Sequence, residues 1–177
     1  MRKRIALGLG ALVLVLLGVI ALQPAAFTVE RSATIGAPAE VIYAHIESLR
    51  RMDEWQPFAK MDPQLMIEYA GPEAGVGARS SWEGPQMGRG RISITAAQPV
   101  EAIEMKLEML APLAATNRIR FTLVPAGERT AVTWRMDGHN SFVGKAFALF
   151  GDMDAMMGGE FEKGLAALAA LVEADPR

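Results

Sequence analysis

EAIEMKLEML, residues 101–110, decides how the rest of the chain is read. Ile103, Met105, Leu107 and Met109 alternate with Glu104, Lys106 and Glu108. A helix repeating every 3.6 residues scatters those apolar side chains around its axis, whereas a strand sends all four to one side. The period of two therefore predicts a strand with one apolar and one charged face. IRFTLV and TAVTWRMD repeat the pattern and put Ile119, Phe121, Leu123, Val132, Trp134 and Met136 on one parity. Six strands are expected in this part of the chain, at about 65–69, 78–83, 90–97, 101–110, 116–124 and 130–137. Their connections are too short for parallel crossovers, so the expected sheet is an antiparallel meander.

Just upstream, YAGPEAGVGARSSWEG (residues 69–84) is dense in glycine around a single tryptophan. A phosphate-cradling loop needs a strand leading into a helix, with a lysine or helix N-terminus to hold the anion. Here LMIEY leads in, ARSSW leads out, and no lysine is present. The glycines therefore turn a hairpin, with positive φ at Gly71, Gly75 and Gly77.

On the N-terminal side, FTVERSATI (27–35) alternates as a first strand. Arg31 falls on its apolar parity, which suits the rim of an edge strand. GAPAEVIYAHIESLRRMDEW follows as helix, with Pro38 and Glu40 suited to its first turn and Ile42, Ile46 and Leu49 on one face. Trp55-Gln56-Pro57-Phe58 closes it. From Gly151 the period changes again: Met153, Met156, Met157, Phe161, Leu165, Leu168 and Val172 form a broad helical stripe. Gly158, Gly159 and Gly164 interrupt that helix, each at a cost of up to about 1 kcal/mol relative to alanine.

At the extreme N-terminus, Met1-Arg2-Lys3-Arg4 precedes IALGLGALVLVLLGVIAL, residues 5–22, which carries no charged side chain. As a helix this run reaches about 27 Å, close to the ~30 Å hydrocarbon core of a bilayer. It is longer than the ~7–15 residues of a cleaved signal, and Gln23 and Pro24 occupy the −3 positions of the best cleavage sites. The expectation is a single-pass anchor over 1–26 and one domain over 27–177. The basic residues before the span place the N-terminus in the cytoplasm and the domain outside, periplasmic in a Gram-negative cell. Whether the leader is retained or cleaved stays open. Setting Arg2, Lys3 and Arg4 aside, fifteen basic residues face twenty acidic ones. With no basic stripe, nucleic acid is not an expected partner.

The order strand, helical pair, six-strand meander and long C-terminal helix is that of the helix-grip fold. The stretches VERSATIGAPAEVIYAHI, WQPF, YAGPEAGVGARSSWEG, GRGRISITAAQPVEAIEMKL, ATNRIRFTLVPAGERTAVTWRMDG and FEKGLAALAAL resemble the SRPBCC superfamily. That superfamily holds START-like lipid-transfer domains, birch-pollen-allergen-like proteins and polyketide cyclases/dehydrases, and the similarity is closest to small bacterial proteins of the polyketide cyclase type. The resemblance implies an α+β domain whose curved sheet of about seven strands grips the C-terminal helix around a mostly apolar pocket. Mapped by parity, Trp55, Phe58, Trp82, Met105, Met109, Trp134, Met136, Met153, Met157 and Phe161 are the candidate lining, or else ordinary core. Eleven methionines favour a lining that adapts to ligand shape.

Motifs for chemistry are sparse. Without cysteine, thiol catalysis and thiolate metal sites are excluded. His139, in the segment Asp137-Gly138-His139-Asn140, is the one candidate general base, and solvated turn chemistry is the alternative. His45 sits at the border of its helix's apolar face and reads as packing. Asp152, Asp154, Glu160 and Glu162 fail the calcium-loop pattern, because Met156 stands where an oxygen ligand belongs and Met157 where a glycine does. Acids opening a helix are explained by its dipole. Ser141 lacks a nucleophile elbow, and Arg91, Arg120 and Arg135 fall on the outward parity. No metal or cofactor is expected. The expected function is membrane-tethered binding of a hydrophobic small molecule or lipid between sheet and helix. The alternatives are a cyclase-like enzyme and a protein-interaction domain with a vestigial cavity, its partner unknown.

Overall fold

The computed structural model describes residues 2–149, 151 and 153–174, with side chains for all of these except 2–7, 147, 148 and 153. The chain runs α1 (Arg2–Leu22), β1 (Ala26–Ile35), α2 (Ala39–Ile46), α3 (Leu49–Trp55), a 3-10 turn (Phe58–Met61), β2 (Met66–Ala70), β3 (Arg79–Gly84), β4 (Gly88–Gln98), β5 (Ala102–Ala111), β6 (Ala115–Ala126), β7 (Arg129–His139), α4 (Phe142–Ala148) and α5 (Met153–Ala174). Seven strands form one antiparallel sheet in the order β1-β7-β6-β5-β4-β3-β2. From β2 to β7 each strand pairs with its successor, as the short turns require, and β1 closes onto β7. Register shifts at Arg89/Gly90 and Ile94/Ala96 break the β4–β5 ladder. Such irregularities bend a strand and increase its twist.

The strand parities hold. Val29, Met136, Ile119, Met105 and Ile94 stand in one cross-strand row and are all buried. The opposite face carries ion pairs both within strands and between neighbouring ones. Glu108 accepts from Arg91 Nε at 2.7 Å and Lys106 Nζ at 2.9 Å, Glu104 from Arg118 and Arg120, and Asp137 from Arg135. Hydrogen bonds from Arg91 first and Lys106 second hold the Glu108 carboxyl down at about 2. Arg91, Arg120 and Arg135 are thus outward residues of the sheet, as their parity predicts.

Several boundaries differ from the sequence expectation. The helical stretch after β1 is the pair that the fold order implies, divided where Ser48 adopts an extended conformation (φ −106°, ψ 115°). Ile46 and Leu49 are buried on either side of that break. α4 has no counterpart among the expected elements. The glycines of 69–84 do turn a hairpin, with φ of 83°, 76° and 95° at Gly71, Gly75 and Gly77. The hairpin is tied down by Gly75 N–H to Glu47 O at 2.9 Å and Gly77 N–H to Ile94 O at 3.0 Å.

The N-terminal expectation is corrected. Among the described residues no helix is long and apolar enough to cross a membrane. The C-terminal end of α1 turns onto the protein. Ile20 is buried, Lys145 Nζ of α4 donates to Ala21 O at 3.1 Å, and α1 packs beside α4. The transmembrane anchor, the membrane as partner and the cell-membrane, extracytoplasmic location all rested on that span and lose their basis with it.

Candidate functional site

The inner face of the sheet divides into two halves. In one, Trp134 of β7 lies between Arg31 of β1 and Phe121 of β6 in register. Its indole stacks on Phe161 of α5, with centroids 4.1 Å apart and planes 4° from parallel. Trp55 meets it edge-on at 5.6 Å, Phe121 lies at 5.0 Å, and Phe58 touches both Trp134 and Phe161 edge-on. Aromatic pairs in such geometries contribute about 0.5–1.5 kcal/mol each beyond the area they bury. Gly164 allows the close approach: a side-chain carbon there would stand 2.7 Å from Trp134 Cζ3 and 3.2 Å from Pro57 Cδ. Trp55, Trp134, Phe121 and Phe161 are essentially inaccessible, so they fill this half of the space between sheet and helix.

The other half is less covered. α5 runs closest along β1, and α2 approaches β6. Ile92, Leu107, Met109, Trp82 and Phe27 are half-buried. Two glycines make room here. Gly90 stands between Trp82 and Met109 in register, and a Cβ on it would run into the indole. Gly138 stands opposite Phe27 and beside Asn117, and a Cβ on it would meet both side chains. Trp82 Nε1 and Asn117 Oδ1 are each buried with no hydrogen-bond partner, as is Trp134 Nε1 in the packed half. A buried polar atom left unpaired costs about 1–3 kcal/mol.

Of the ten residues singled out by parity, Trp55, Trp134, Phe161, Met105 and Met136 lie in the sealed core. Phe58 and Met157 pack partly buried against it. Trp82 and Met109 lie on the less covered half. The Met153 side chain, like Asp152, is outside the described residues. Asn117, Gly90 and Gly138 were not singled out. Asn117 had a readable signal, a polar residue on the inward parity of β6 with Ile119 and Phe121. His139 ends β7 on the outward parity, exposed, opposite Ala26. His45 is half-buried, and its carbonyl accepts from Trp55 Nε1 at 3.3 Å.

Arg31 uses its edge position in a way the alternation alone did not reveal. It reaches α5, where Nη1 and Nη2 donate to the two carboxylate oxygens of Asp154 at 2.8 and 2.9 Å and Nε to Glu162 at 2.7 Å. Hydrogen bonds to Asp154 and then Glu162 raise its pKa, and the Asp154 carboxyl is lowered in return. Gly158 lies under the guanidinium, where a Cβ would collide. Two of the acids assigned to the helix dipole are therefore partners of a strand arginine, and Glu160 accepts from Lys163 at 2.7 Å. Among the described residues no group of three or more acids and histidines is placed to hold a metal.

The glycine-rich hairpin bounds a shallow surface groove of about 110 Å³ lined by Leu49, Arg50, Tyr69, Pro72, Glu73 and Arg79. The Tyr69 hydroxyl donates to Asp53 at 2.5 Å under the Arg50 guanidinium, 4.0 Å from the ring centroid. Burial, then the Asp53 hydrogen bond, pushes Tyr69 up to about 12. Nearby, Asp62 accepts backbone N–H bonds from Gln64, Gln86 and Met87 and so joins the 3-10 turn to the β3–β4 turn. Burial raises its pKa, but the bonds from Met87, Gln86 and Gln64 outweigh that and hold it below the usual carboxylate range.

A seven-stranded antiparallel sheet with a long C-terminal helix across part of its apolar face defines the SRPBCC class, a fold compatible with binding hydrophobic ligands. Residues 26–173 match the family described as polyketide cyclase / dehydrase and lipid transport, and the chain belongs to it. The chain is similar in fold to a truncated norcoclaurine synthase from Thalictrum flavum, at 12% identity and TM-score 0.64 over 85% of this chain and 96% of that one. It is similar also to a protein from Chromobacterium violaceum, at 18% identity and TM-score 0.61 over 82% and 96%. A protein from Mesorhizobium loti matches at 18% and 0.61 over 84% and 98%. No curated protein matches the chain.

Proposed function

We propose that the domain over 27–177 binds an apolar small molecule or lipid on the inner face of the sheet, in the half that the aromatic cluster leaves less covered. The observation that carries this reading is the partition of the inner face. Trp82, Met109, Leu107 and Ile92 are apolar, inward and only half-buried, and the Trp82 indole lies against Gly90 rather than against a larger side chain. Burying that surface against a ligand removes it from water at about 25 cal/mol per Å². Methionine and tryptophan supply contacts that tolerate ligands of varied shape.

The test is a titration of the purified full chain with 8-anilinonaphthalene-1-sulfonate, followed by displacement with oleic acid. Saturable binding near one equivalent, displaced by the fatty acid and weakened by Met109→Glu, is expected. Absence of saturable binding, or binding indifferent to Met109→Glu in a variant that melts like the parent, refutes the proposal.

A further inference from the structure

The two ends of the sheet differ in charge. Register places the β3–β4, β5–β6 and β7–α4 connections at one end, with the start of β1. Those connections, residues 85–87, 112–114 and 140–141, carry no charged side chain. The β2–β3, β4–β5 and β6–β7 connections at the other end each carry a glutamate: Glu73, Glu101 and Glu128. Apolar side chains project from the uncharged end. Leu110 and Leu113 at the β5–β6 turn, and Phe142 and Val143 opening α4, are each 44–51% accessible. The two pairs are neighbours, because β6 and β7 lie side by side, about 4.8 Å apart. The 3-10 turn reaches the same end through Asp62, which is buried and accepts from Gln86 and Met87. Lys60 is the charged side chain exposed on that turn, and Lys145 is the one on α4. Each donates to a backbone carbonyl, and among the described residues neither meets a carboxylate. The inner face is least covered toward this end as well. Trp82 and Met109 stand in the row nearest these turns and Ile92 and Leu107 in the next, all half-buried. The third row, Ile94, Met105 and Ile119, is sealed.

We infer that this end of the sheet docks reversibly on an anionic lipid surface, from which the apolar ligand reaches the inner face. The inference rests on the proposal that the inner face binds such a ligand, and adds the surface that delivers it. It draws on the turns of the sheet and the start of α4, not on α1. Apolar side chains entering the head-group region and cations facing anionic lipid are the two attractions that hold a peripheral protein there. A lipid surface is fluid and needs no complementary shape, so four separately projecting side chains can each enter it. A stable interface with a second copy needs about 800 Å² of well-packed surface on each partner, more than four half-exposed side chains offer. Val76 and Val124, exposed at the charged end, stand singly, as scattered apolar residues do on any protein surface.

The chain has no cysteine, so Leu113→Cys and Val124→Cys each give a single attachment point for a nitrobenzoxadiazole dye, which brightens and shifts to the blue in lipid. The labelled full chain is titrated with vesicles of phosphatidylcholine containing about 30% phosphatidylglycerol. The dye at Leu113 should shift and brighten about twofold or more, and the dye at Val124 should not. Pure phosphatidylcholine should need about tenfold more lipid for the same response, since each lysine near an anionic surface adds a comparable attraction. Phe142→Cys is a second reporter at the same end if Leu113→Cys does not fold. No shift at Leu113 or Phe142, or an equal shift at Val124, overturns the docking. An equal response to both lipids overturns the part given to Lys60 and Lys145. Saturable binding of 8-anilinonaphthalene-1-sulfonate without a shift at Leu113 overturns the docking alone and leaves the inner-face site standing. A shift without that saturable binding upholds the docking and counts against the ligand proposal.

Discussion

Replacing Gly164 by alanine sets two known effects against each other in the middle of α5. Helix propensity alone favours the change by about 1 kcal/mol. The new methyl carbon, however, would stand 2.7 Å from Trp134 Cζ3 and 3.2 Å from Pro57 Cδ. The indole cannot swing away, because Trp134 is held between Phe161, Phe121 and Trp55. Overpacking a core by a carbon of this kind costs about 1–3 kcal/mol. The net expectation is a loss of about 1 kcal/mol, or about 2–4 °C in Tm for a domain of this size. Gly159 supplies the control on the same helix, since a methyl group there meets nothing within 4 Å. Gly159→Ala should therefore gain up to about 1 kcal/mol from propensity. Urea unfolding followed by tryptophan fluorescence measures both, with equal slopes showing that only stability has changed. If Gly164→Ala is as stable as Gly159→Ala, the stacked Trp134–Phe161 pair is not the rigid obstacle described here.

Tyr69 should resist ionisation. A raised value means that its stabilising contribution is complete below the ordinary tyrosine range and is lost as pH rises through about 12, so phenolate absorbance at 295 nm should develop late and Tyr69→Phe should remove that late component. Glu108 behaves in the opposite sense. Its contribution is present above about 4.5 and falls away toward about 2, so the Tm difference between the parent and Glu108→Gln should shrink as pH falls through that window, and a constant difference would contradict the pairing with Arg91 and Lys106. Asp62→Asn should loosen the turn at Gln86 and Met87, read as faster amide exchange at those residues than in the parent; unchanged exchange would mean the carboxylate does not organise that turn. Phe161→Ala removes the stacked partner of Trp134 and should cost about 3–5 kcal/mol by chemical unfolding, and a loss below about 1 kcal/mol would show that the stack adds little.

The faces of the sheet were legible because strand geometry forces alternate residues apart. Ile103, Met105 and Leu107 had to share a side whatever their partners were. Contacts between distant parts of the chain differ. That Arg31 joins Asp154 and Glu162 depends on a contact spanning 123 and 131 residues, which no local period encodes. The position of the break at Ser48 and the helix α4 escaped for a related reason, since seven- and eight-residue helices have too few turns to show a convincing stripe. Composition made residues 5–22 look like a bilayer span, yet hydropathy measures transfer preference rather than where a helix docks, and Ile20 and Ala21 meet the protein. The candidate lining was readable as inward but not as filled or open. Parity ranks Trp134 and Trp82 alike, and only the position of α5 separates them.

The closing of β1 onto β7 bears on how the chain is assembled. Strands β2 to β7 are joined by successive hairpins, each forming within a short length of chain. β1 must instead wait for a partner such as Asp137, which accepts from Thr28 across 109 residues. Loop closure over that distance is entropically costly compared with a hairpin and is recovered only once the ladder forms. On a ribosome, the first strand to emerge is thus the last to find its place. Arg31 reaches α5 from that same strand, so its bond to Asp154 forms only when the helix, too, has been made.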